Sequence, residues 1–417
     1  MSQIFTHQQR RGKLVEIVTT SGAQDPNKRR FDIAERKGRG HPDSIADHLA
    51  YEFSLRYSQW CEDRVGRILN HWVDKTTCVG ARARVGYGEV DIVDPIRILL
   101  IGKITRTFGK VDVPLERLLH DAVQEVFETV LTREAQDHYS IEILNTAGIA
   151  VDHDHSFYEP GPNDDNEAIR RGIVANDTML AVGHSSRSYL LDLAETIETS
   201  FSNSHEAVGT DVKLMLTRSG NTVNVVAAVP VIPERVRNRN DYLTVLQVAE
   251  ASTREALRPQ LDKSSLKLGH LQINTKDRHG GAYLAPFGSS LGKGDVGAVG
   301  RGNRTFGGIE PYSSWTAEAP AGKNPLSHGG RIYPRVCTAI ARYLGGELGQ
   351  YVDVGIHARN GDDLHDPALV IVRLSDQDGA APAHIRALVE EAVRTMTAEH
   401  IDPERYGSRN SADELPA

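Results

Sequence analysis

A short segment near the N-terminus combines residue types that could handle phosphate groups. Residues 35–47 have the sequence Glu-Arg-Lys-Gly-Arg-Gly-His-Pro-Asp-Ser-Ile-Ala-Asp. Pro42 suits the first turn of a helix, so the pattern predicts a helix over about residues 43–60. His41 then stands at the helix N-terminus, where free N–H groups and the helix dipole favour anions.

The two aspartates of this segment, Asp43 and Asp47, are four residues apart and therefore share one face of the predicted helix. Carboxylates with this spacing suit Mg²⁺, which prefers oxygen ligands. The alternative is a capped helix start with solvated carboxylates. The segment by itself leaves both interpretations open.

Two later segments combine glycines with cations. Residues 292–304 are Gly-Lys-Gly-Asp-Val-Gly-Ala-Val-Gly-Arg-Gly-Asn-Arg, and residues 321–331 are Ala-Gly-Lys-Asn-Pro-Leu-Ser-His-Gly-Gly-Arg. Neither is a P-loop, because the spacing of that motif is absent from the chain. Each segment could hold phosphates through backbone amides and cations, or could be a glycine-rich turn. Three such segments in one chain favour a nucleoside triphosphate site.

The elements that position these segments alternate between strands and long helices. One helix is predicted from apolar residues that recur at 3.6-residue spacing between Leu115 and Leu131. The other predicted elements are strands at 97–105 and 140–146, an amphipathic stretch at 189–201, a hairpin of 212–217 and 223–229, a helix at 242–257, a strand at 268–274, a helix at 332–348, strands at 351–357 and 369–373, and a helix from 382 to about 399. These three groups predict an α+β protein in which helices back sheets.

The same patterns suggest a division of the chain into domains. Residues 1–30 and 404–417 are polar and aperiodic, which predicts an N-terminal extension and a C-terminal tail. Between them we expect a first α+β unit at 31–150 with the His-Pro-Asp motif and a second unit at 151–275. A third unit, at 276–403, would carry the glycine-rich loops.

Composition excludes several classes of protein. The chain has 417 residues, of which 39% are hydrophobic and 25% charged, and this is an ordinary mixture for a globular protein too long for one core. Its net charge of −8 argues against nucleic-acid binding. No apolar run approaches the roughly 18 residues of a membrane helix. The N-terminus lacks the apolar stretch of a signal peptide, so we expect a cytoplasmic protein without membrane partners.

The order and spacing of the motifs resemble those of the archaeal-type methionine adenosyltransferases, also called S-adenosylmethionine synthetases. The resemblance covers roughly residues 30–400. It rests on the three segments above and on Val-Ala-Asn-Asp-Thr at 174–178, Val-Gly-Thr-Asp-Val-Lys at 208–213 and Ile-Asn-Thr at 273–275. It implies three similar sheet-plus-helix domains around a pseudo-threefold axis, and a homodimer with active sites at its interface.

The resemblance also implies a reaction. The sulfur of methionine would attack the ribose C5′ carbon of ATP, and the tripolyphosphate released would be hydrolysed to pyrophosphate and phosphate. A neutral thioether needs no base, so catalysis must come from alignment and from stabilising charge on the triphosphate. Mg²⁺ is the implied cofactor, with K⁺ as a second candidate.

Matched motif by motif, the resemblance gives site residues of four kinds, and Tyr283, which could stack on the base, is added to the nucleotide set. The catalytic set at the triphosphate is His41, Lys213, Arg301 and Lys323; the nucleotide set is Glu35, Asp211, Tyr283, Asp295, Arg304 and His328; the methionine set is Asp177 and Asp295; and the metal set is Asp43 and Asp47.

Several residues depart from the family pattern near the substrate ends, while the cations are kept. Val296 and Ala298 stand where an aspartate and a serine are usual, and residues 145–150 and 314–318 also differ. Three functions therefore remain open: an ordinary S-adenosylmethionine synthetase, a specialised member acting on another nucleotide or thioether, and a catalytically silent regulatory member.

Overall fold

The computed structural model describes residues 3–8, 14–73, 75–148, 158–162, 175, 177–304, 307–311, 328–375 and 382–400. The helices in these residues are α1 (Pro42–Val65), α2 (Leu115–Val130), α3 (Tyr189–Ser204), α4 (Arg239–Ser264), α5 (Gly329–Leu348) and α6 (Pro382–His400). The strands are β1 (Gln3–Gln8), β2 (Leu14–Ser21), β3 (Phe31–Lys37), β4 (His71–Trp72), β5 (Thr77–Val79), β6 (Arg82–Gly86), β7 (Glu89–Asp94), β8 (Ile96–Ile104), β9 (Thr107–Phe108), β10 (Val111–Asp112), β11 (Tyr139–Asn145), β12 (Met179–His184), β13 (Lys213–Ser219), β14 (Thr222–Ala228), β15 (Lys267–Ile273), β16 (Val296–Ala298), β17 (Val352–Ala358) and β18 (Leu369–Leu374). No helix of this described part is long and apolar enough to cross a membrane.

The chain divides into two compact units. Unit 1 contains the described residues of 1–29, 165–187 and 313–413, and unit 2 contains those of 30–164 and 188–312. Strands and long helices occur in both units. The predicted α+β class is therefore confirmed.

Unit 2 holds two main sheets, each backed by a pair of helices. The sheet ordered β11-β8-β5-β16 packs against α1 and α2, and the sheet ordered β15-β14-β13-β3 packs against α3 and α4. The predicted periodicity explains the first of these contacts, because Leu119, Val123 and Phe127 of α2 are fully buried in its core. Ile197 and Phe201 of α3 are buried in the same way under the second sheet.

Unit 1 holds one sheet, ordered β1-β2-β18-β17-β12, with α5 against β12 and β17 and α6 against α5. Within the predicted N-terminal extension, residues 3–8 and 14–21 form β1 and β2 of this sheet, which the sequence pattern did not indicate. Strand β2 runs parallel to β18, with Ile17 opposite Val370. Ile17 is fully buried, but its partners come from the other end of the chain. A local sequence pattern cannot reveal such a pairing.

The glycine-rich segment at 292–304 belongs to unit 2. Its strand β16 pairs antiparallel with β5, with Val296 opposite Val79. The sequence-based boundary between residues 275 and 276 differs from this division, since it assigns the segment to the third predicted unit. The segment is thereby brought against the helix that follows the His-Pro-Asp motif.

Gly183→Ala should lower the free energy of unfolding, because the close contact between β12 and α5 leaves no room for a methyl group. An added Cβ would lie 2.2 Å from the backbone nitrogen of Thr338 and 2.4 Å from the carbonyl carbon of Cys337. Overpacking of this kind costs about 1–3 kcal/mol. Denaturant unfolding followed by circular dichroism measures the change.

Gly346→Ala is the matched control for that substitution. Gly346 lies within α5, and an added Cβ there meets nothing within 4 Å. Alanine is favoured over glycine in a helix by about 1 kcal/mol, so this variant should be slightly more stable than the wild type. A Gly183 variant with wild-type stability would contradict the close approach of helix and strand.

Candidate active site

The candidate active site lies in unit 2, where β3 leads into α1. β3 pairs antiparallel with β13, which places Lys37 opposite Lys213. α1 begins with Pro42 in its first turn and with His41 as its N-cap, as the sequence predicts. β16 of the glycine-rich segment contacts the same helix. Three segments that are far apart in the chain therefore meet at one place.

His41 is held as a neutral hydrogen-bond donor. Its Nδ1 accepts a hydrogen bond from the backbone N–H of Asp43 at 3.1 Å, so the neutral ring carries its proton on Nε2. Burial lowers the pKa of His41 to about 4, and the charges of Lys37 and Lys213 act in the same direction. Asp43 opposes this shift without overcoming it. The ring can therefore donate to an anion at neutral pH without being charged itself.

Asp43 is the centre of a group of charges. Its Oδ2 accepts from Lys37 Nζ at 2.9 Å and lies 3.9 Å from both His41 Nδ1 and Arg301 Nε. Its Oδ1 accepts from the backbone N–H of Ala298 at 3.0 Å. Burial disfavours the charged carboxylate, but the hydrogen bonds from Ala298 and Lys37 outweigh burial and lower the pKa of Asp43. The carboxylate is therefore held ionised beside three basic groups.

Asp43 also fits a role in binding Mg²⁺. A carboxylate offers about four acceptor positions, and the two neighbours of Asp43 use only part of them. In the part of the chain that the structure describes, no three His, Cys, Asp or Glu side chains are grouped to enclose a metal ion. Mg²⁺ commonly uses one or two carboxylates together with substrate phosphates. Asp43 suits that mode of binding.

Asp47 has a different environment from the one its spacing predicts. It is 1% exposed, and its two oxygens accept hydrogen bonds from the backbone N–H groups of Gly300 at 2.7 Å and Gly302 at 3.1 Å. Burial raises the pKa of Asp47 to about 7, although these two hydrogen bonds favour the ionised form. Asp47 therefore docks the glycine-rich segment onto α1 through these two hydrogen bonds, and its role as a magnesium ligand stays a prediction.

Lys213 and Arg301 present cationic groups to solvent. Lys213 Nζ lies 3.2 Å from Glu35 Oε1, and 47% of the Lys213 side chain is exposed. The Arg301 side chain is 73% exposed, although its backbone carbonyl is bound by Lys37 Nζ. Both cations are accessible to an anion that approaches Asp43 and His41.

The Tyr283 hydroxyl contacts a buried carboxylate, and a lysine covers one face of the Tyr283 ring. The Tyr283 hydroxyl donates to Asp211 Oδ2 at 3.1 Å, and Lys293 Nζ lies 4.5 Å from the centre of the Tyr283 ring. Asp211 is 1% exposed and also accepts from the N–H and hydroxyl of Ser290. Asp211 therefore holds Tyr283 in place, and its predicted role at the nucleotide site stays a prediction. A base could stack only on the ring face that Lys293 leaves open.

Asp211→Asn should flatten the pH dependence of stability. Burial raises the pKa of Asp211 from its ordinary 3.8 to about 7, while hydrogen bonds from Ser290 oppose the shift. The protonated group stabilises the fold fully below about pH 4, and this contribution is lost as the pH rises to about 7. Between pH 4 and 7 the wild type should therefore lose up to about 1.4 kcal/mol per pH unit relative to the variant.

Urea unfolding at intervals from pH 4 to 8 measures this difference. Asp262→Asn, at an exposed position on α4, is the matched control and should give a curve parallel to the wild type. Parallel curves for Asp211→Asn and the wild type would show that Asp211 does not titrate in this range.

Two further predicted nucleotide contacts lie in the glycine-rich segment. The Arg304 guanidinium donates to the carbonyl oxygens of Gly300 at 2.9 Å and Gly302 at 3.2 Å, so it closes the loop on itself. Asp295 is exposed, and its charge acts on both His41 and Asp211. The charge of Asp295 therefore acts on the site from an exposed position, whereas the Arg304 guanidinium is engaged by two backbone carbonyls.

The other predicted site residues belong to unit 1 or lie outside the described residues. His328 belongs to unit 1, where it caps α5 by accepting from the Gly330 N–H at 2.9 Å. Asp177 belongs to unit 1 as well and stands two residues before β12. Lys323 lies outside the described residues. Their predicted roles in binding nucleotide, methionine and triphosphate stay predictions.

Sequence reasoning missed two residues that the structure brings to the site. Lys37 is buried against Asp43, and the Asn303 side chain both accepts from the Lys37 N–H and donates to the Lys37 carbonyl. Lys37 carried a usable signal, because it stands four residues before His41 in the same motif. Asn303 carried none, since its partner lies in another segment. Lys293 was among the cations of the glycine-rich segment, but its position over one face of Tyr283 was not predicted.

Comparison with known proteins identifies the family. The family model of S-adenosylmethionine synthetase (AdoMet synthetase) matches residues 15–402. The S-adenosylmethionine synthase of Natronomonas pharaonis is 31% identical over 389 residues, which are 89% of this chain and 94% of the relative. That of Pyrobaculum aerophilum is 32% identical over 390 residues, covering 89% and 93%. This chain belongs to the S-adenosylmethionine synthetase family.

A solved structure supports the fold. The structure of an unusual S-adenosylmethionine synthetase from Campylobacter jejuni matches 93% of this chain and 98% of its own, with a TM-score of 0.55 and 13% identity. That similarity concerns the fold alone. The resemblance drawn from the motifs, and the function class that it implies, are confirmed by the family match, and the relatives named above are transferases.

Proposed function

We propose that this chain makes S-adenosylmethionine from ATP and L-methionine. The sulfur lone pair forms a bond to C5′ of the ribose, the C5′–O bond breaks, and its electrons leave with the tripolyphosphate. Water then hydrolyses tripolyphosphate to pyrophosphate and phosphate. The observation that carries the proposal is the group of His41, Lys37 and Arg301 around Asp43, with Lys213 on the adjacent strand.

In this reaction the cations act on the leaving group. Negative charge grows on the oxygen that leaves C5′, and preorganised donors stabilise it more than they stabilise bound ATP. Lys213 and Arg301 are exposed enough to reach the phosphates, and neutral His41 can donate from Nε2. Asp43 would hold Mg²⁺, which neutralises phosphate charge when bound. Asp177 and Asp295 are the candidates for the methionine ammonium group.

A direct assay tests the proposal. Purified protein with ATP, Mg²⁺ and methionine should produce S-adenosylmethionine by mass spectrometry, together with equal amounts of pyrophosphate and phosphate. A panel of ATP, GTP, CTP and UTP with methionine, ethionine and selenomethionine, scored by kcat/KM, tests the specialised alternative. Val296 motivates that alternative. It follows Asp295 and is 57% exposed, and it stands where members of the family usually carry an aspartate. If no pair reacts, the catalytically silent alternative stands.

The chain is also proposed to act as a homodimer. On the sheet of β3, β13 and β14, the face away from α3 and α4 carries Phe31 and Val226, each 44% exposed. Glu35 and Lys213 lie on this same face by strand alternation. Phe31 and Val226 would contribute to a contiguous apolar patch, the kind of surface that marks a protein interface. A second copy seated there would close over the Glu35–Lys213 pair.

Light scattering should therefore give twice the 45.8 kDa of one chain. Val226→Asp should shift the mass towards the monomer and lower the activity, because an aspartate would be buried at the interface. Val248→Asp is the matched control, since Val248 on α4 is 41% exposed on a helix surface. A monomeric wild type with full activity would contradict the shared-site dimer.

A further inference from the structure

The backbone around Arg301 is held by buried polar groups of β3 and α1, although its side chain is largely exposed. We propose that Asp47 and Asn303 are positioning residues that fix this backbone, so that Arg301 is presented to the triphosphate. This inference rests on the proposed function and assigns two residues to its phosphate end. Neither residue touches the substrate in this scheme, so both would act through Arg301.

Asp47 holds the residues on both sides of Arg301. Its Oδ1 accepts from the N–H of Gly300 at 2.7 Å, and its Oδ2 accepts from the N–H of Gly302 at 3.1 Å. The approach is so close that a Cβ on Gly302 would lie 2.2 Å from Asp47 Oδ2. Glycine is therefore required at 302, and a single buried carboxylate determines the path of the loop.

Asn303 and Lys37 hold the next part of the loop. The Asn303 side chain accepts from the Lys37 N–H at 3.0 Å and donates to the Lys37 carbonyl at 2.8 Å. The Lys37 ammonium in turn binds the carbonyl oxygen of Arg301. Asn303 is 5% exposed and Lys37 6% exposed, so these bonds are protected from water. The loop is therefore tied to β3 as well as to α1.

These contacts fix the backbone of Arg301 and leave most of its side chain exposed. The amides on either side of it are bound by Asp47 and its own carbonyl by Lys37, while 73% of the side chain is exposed. An arginine on a mobile loop would lose backbone as well as side-chain freedom when it bound an anion. Fixing the backbone beforehand removes the first cost, which is the usual benefit of preorganisation.

Asp47→Asn tests the proposal at pH 8 with inorganic tripolyphosphate as the probe and Mg²⁺ in excess. The asparagine places an NH₂ group against one of the two glycine N–H donors, so one hydrogen bond is lost and the loop must move. Isothermal titration calorimetry should show a Kd about tenfold higher, equivalent to about 1.4 kcal/mol. Asp63→Asn, at an exposed position on α1, is the matched control and should leave the Kd unchanged.

A double-mutant cycle shows whether Asp47 acts through Arg301 or whether its replacement disturbs the structure of the site more widely. In an Arg301→Ala background, Asp47→Asn should change the tripolyphosphate Kd less than twofold, because the group through which it acts is gone. A tenfold change in both backgrounds would overturn the proposal. The proposal would also be overturned if Asp47→Asn changed the Mg²⁺ dependence of tripolyphosphate binding in the same way as Asp43→Asn. Such a change is the behaviour expected of a metal ligand.

Asn303→Ala provides a second route if Asp47→Asn does not fold. It removes both hydrogen bonds to the Lys37 backbone and should weaken tripolyphosphate binding in the wild-type background only. Wild-type affinity in this variant would overturn the role of Asn303. If the wild type itself did not bind tripolyphosphate, the proposed function would be contradicted. Failure of the proposed function is therefore distinguishable from failure of the positioning proposal.

Discussion

Replacing Lys213 by methionine should reduce kcat by about 10²–10³-fold while the protein stays folded. Methionine keeps most of the apolar stem and removes the ammonium group, which lies 3.2 Å from Glu35 Oε1 on a side chain that is 47% exposed. Loss of one preorganised donor to a developing negative charge typically costs a factor of this size. Steady-state kinetics with saturating ATP and methionine measure it, and circular dichroism and light scattering check fold and assembly.

The control for this experiment is Lys267→Met. Lys267 is an exposed lysine at the start of β15 in the same sheet, so the change in net charge and side-chain type is identical. Its kcat should stay within twofold of the wild type. An unaltered kcat in Lys213→Met would remove Lys213 from the catalytic set.

Glu198→Ala should lower the free energy of unfolding by about 3–5 kcal/mol. Glu198 Oε2 accepts from Arg36 Nε, and Glu198 Oε1 accepts from the backbone N–H of Arg39 at 3.1 Å. Arg36 is 4% exposed and Glu198 6% exposed. Removing one partner of a buried ion pair leaves the other charge buried without compensation, which is the source of the large effect. Denaturant unfolding followed by circular dichroism gives the value.

Two further variants make that result interpretable. Glu255→Ala, at an exposed position on α4, should change stability by less than about 0.5 kcal/mol. The double variant Arg36→Met with Glu198→Leu should recover much of the loss, because apolar side chains can replace a buried pair. If Glu198→Ala proved as stable as the wild type, the pair would not be buried in solution.

The same ion pair connects stability to the site. Arg36 lies on β3 and Arg39 in the loop before His41, while Glu198 lies on α3. Glu198 therefore fixes both ends of the short segment that delivers His41 to the start of α1. We expect its loss to affect activity as well as stability, although Glu198 is not a predicted substrate contact.

The sequence alone determined the helices that carry the site. Pro42 after His41 predicts where α1 begins, and apolar spacing from Leu115 predicts α2 over nearly its full length. Both signals are local, because capping groups and periodic burial involve residues a few positions apart. The motif order determined the family in the same way, since the cations at Lys213 and Arg301 stand at recognisable distances along the chain.

The tertiary structure alone decided what each carboxylate does. By spacing, Asp43 and Asp47 are equivalent, yet Asp43 faces three basic groups and Asp47 faces two glycine amides from a loop about 250 residues later in the chain. Asp211 was also placed behind Tyr283 by contacts that no local pattern contains. The physical reason is common to these cases: burial and hydrogen-bond partners fix the role of a polar side chain, and those partners are set by chain packing.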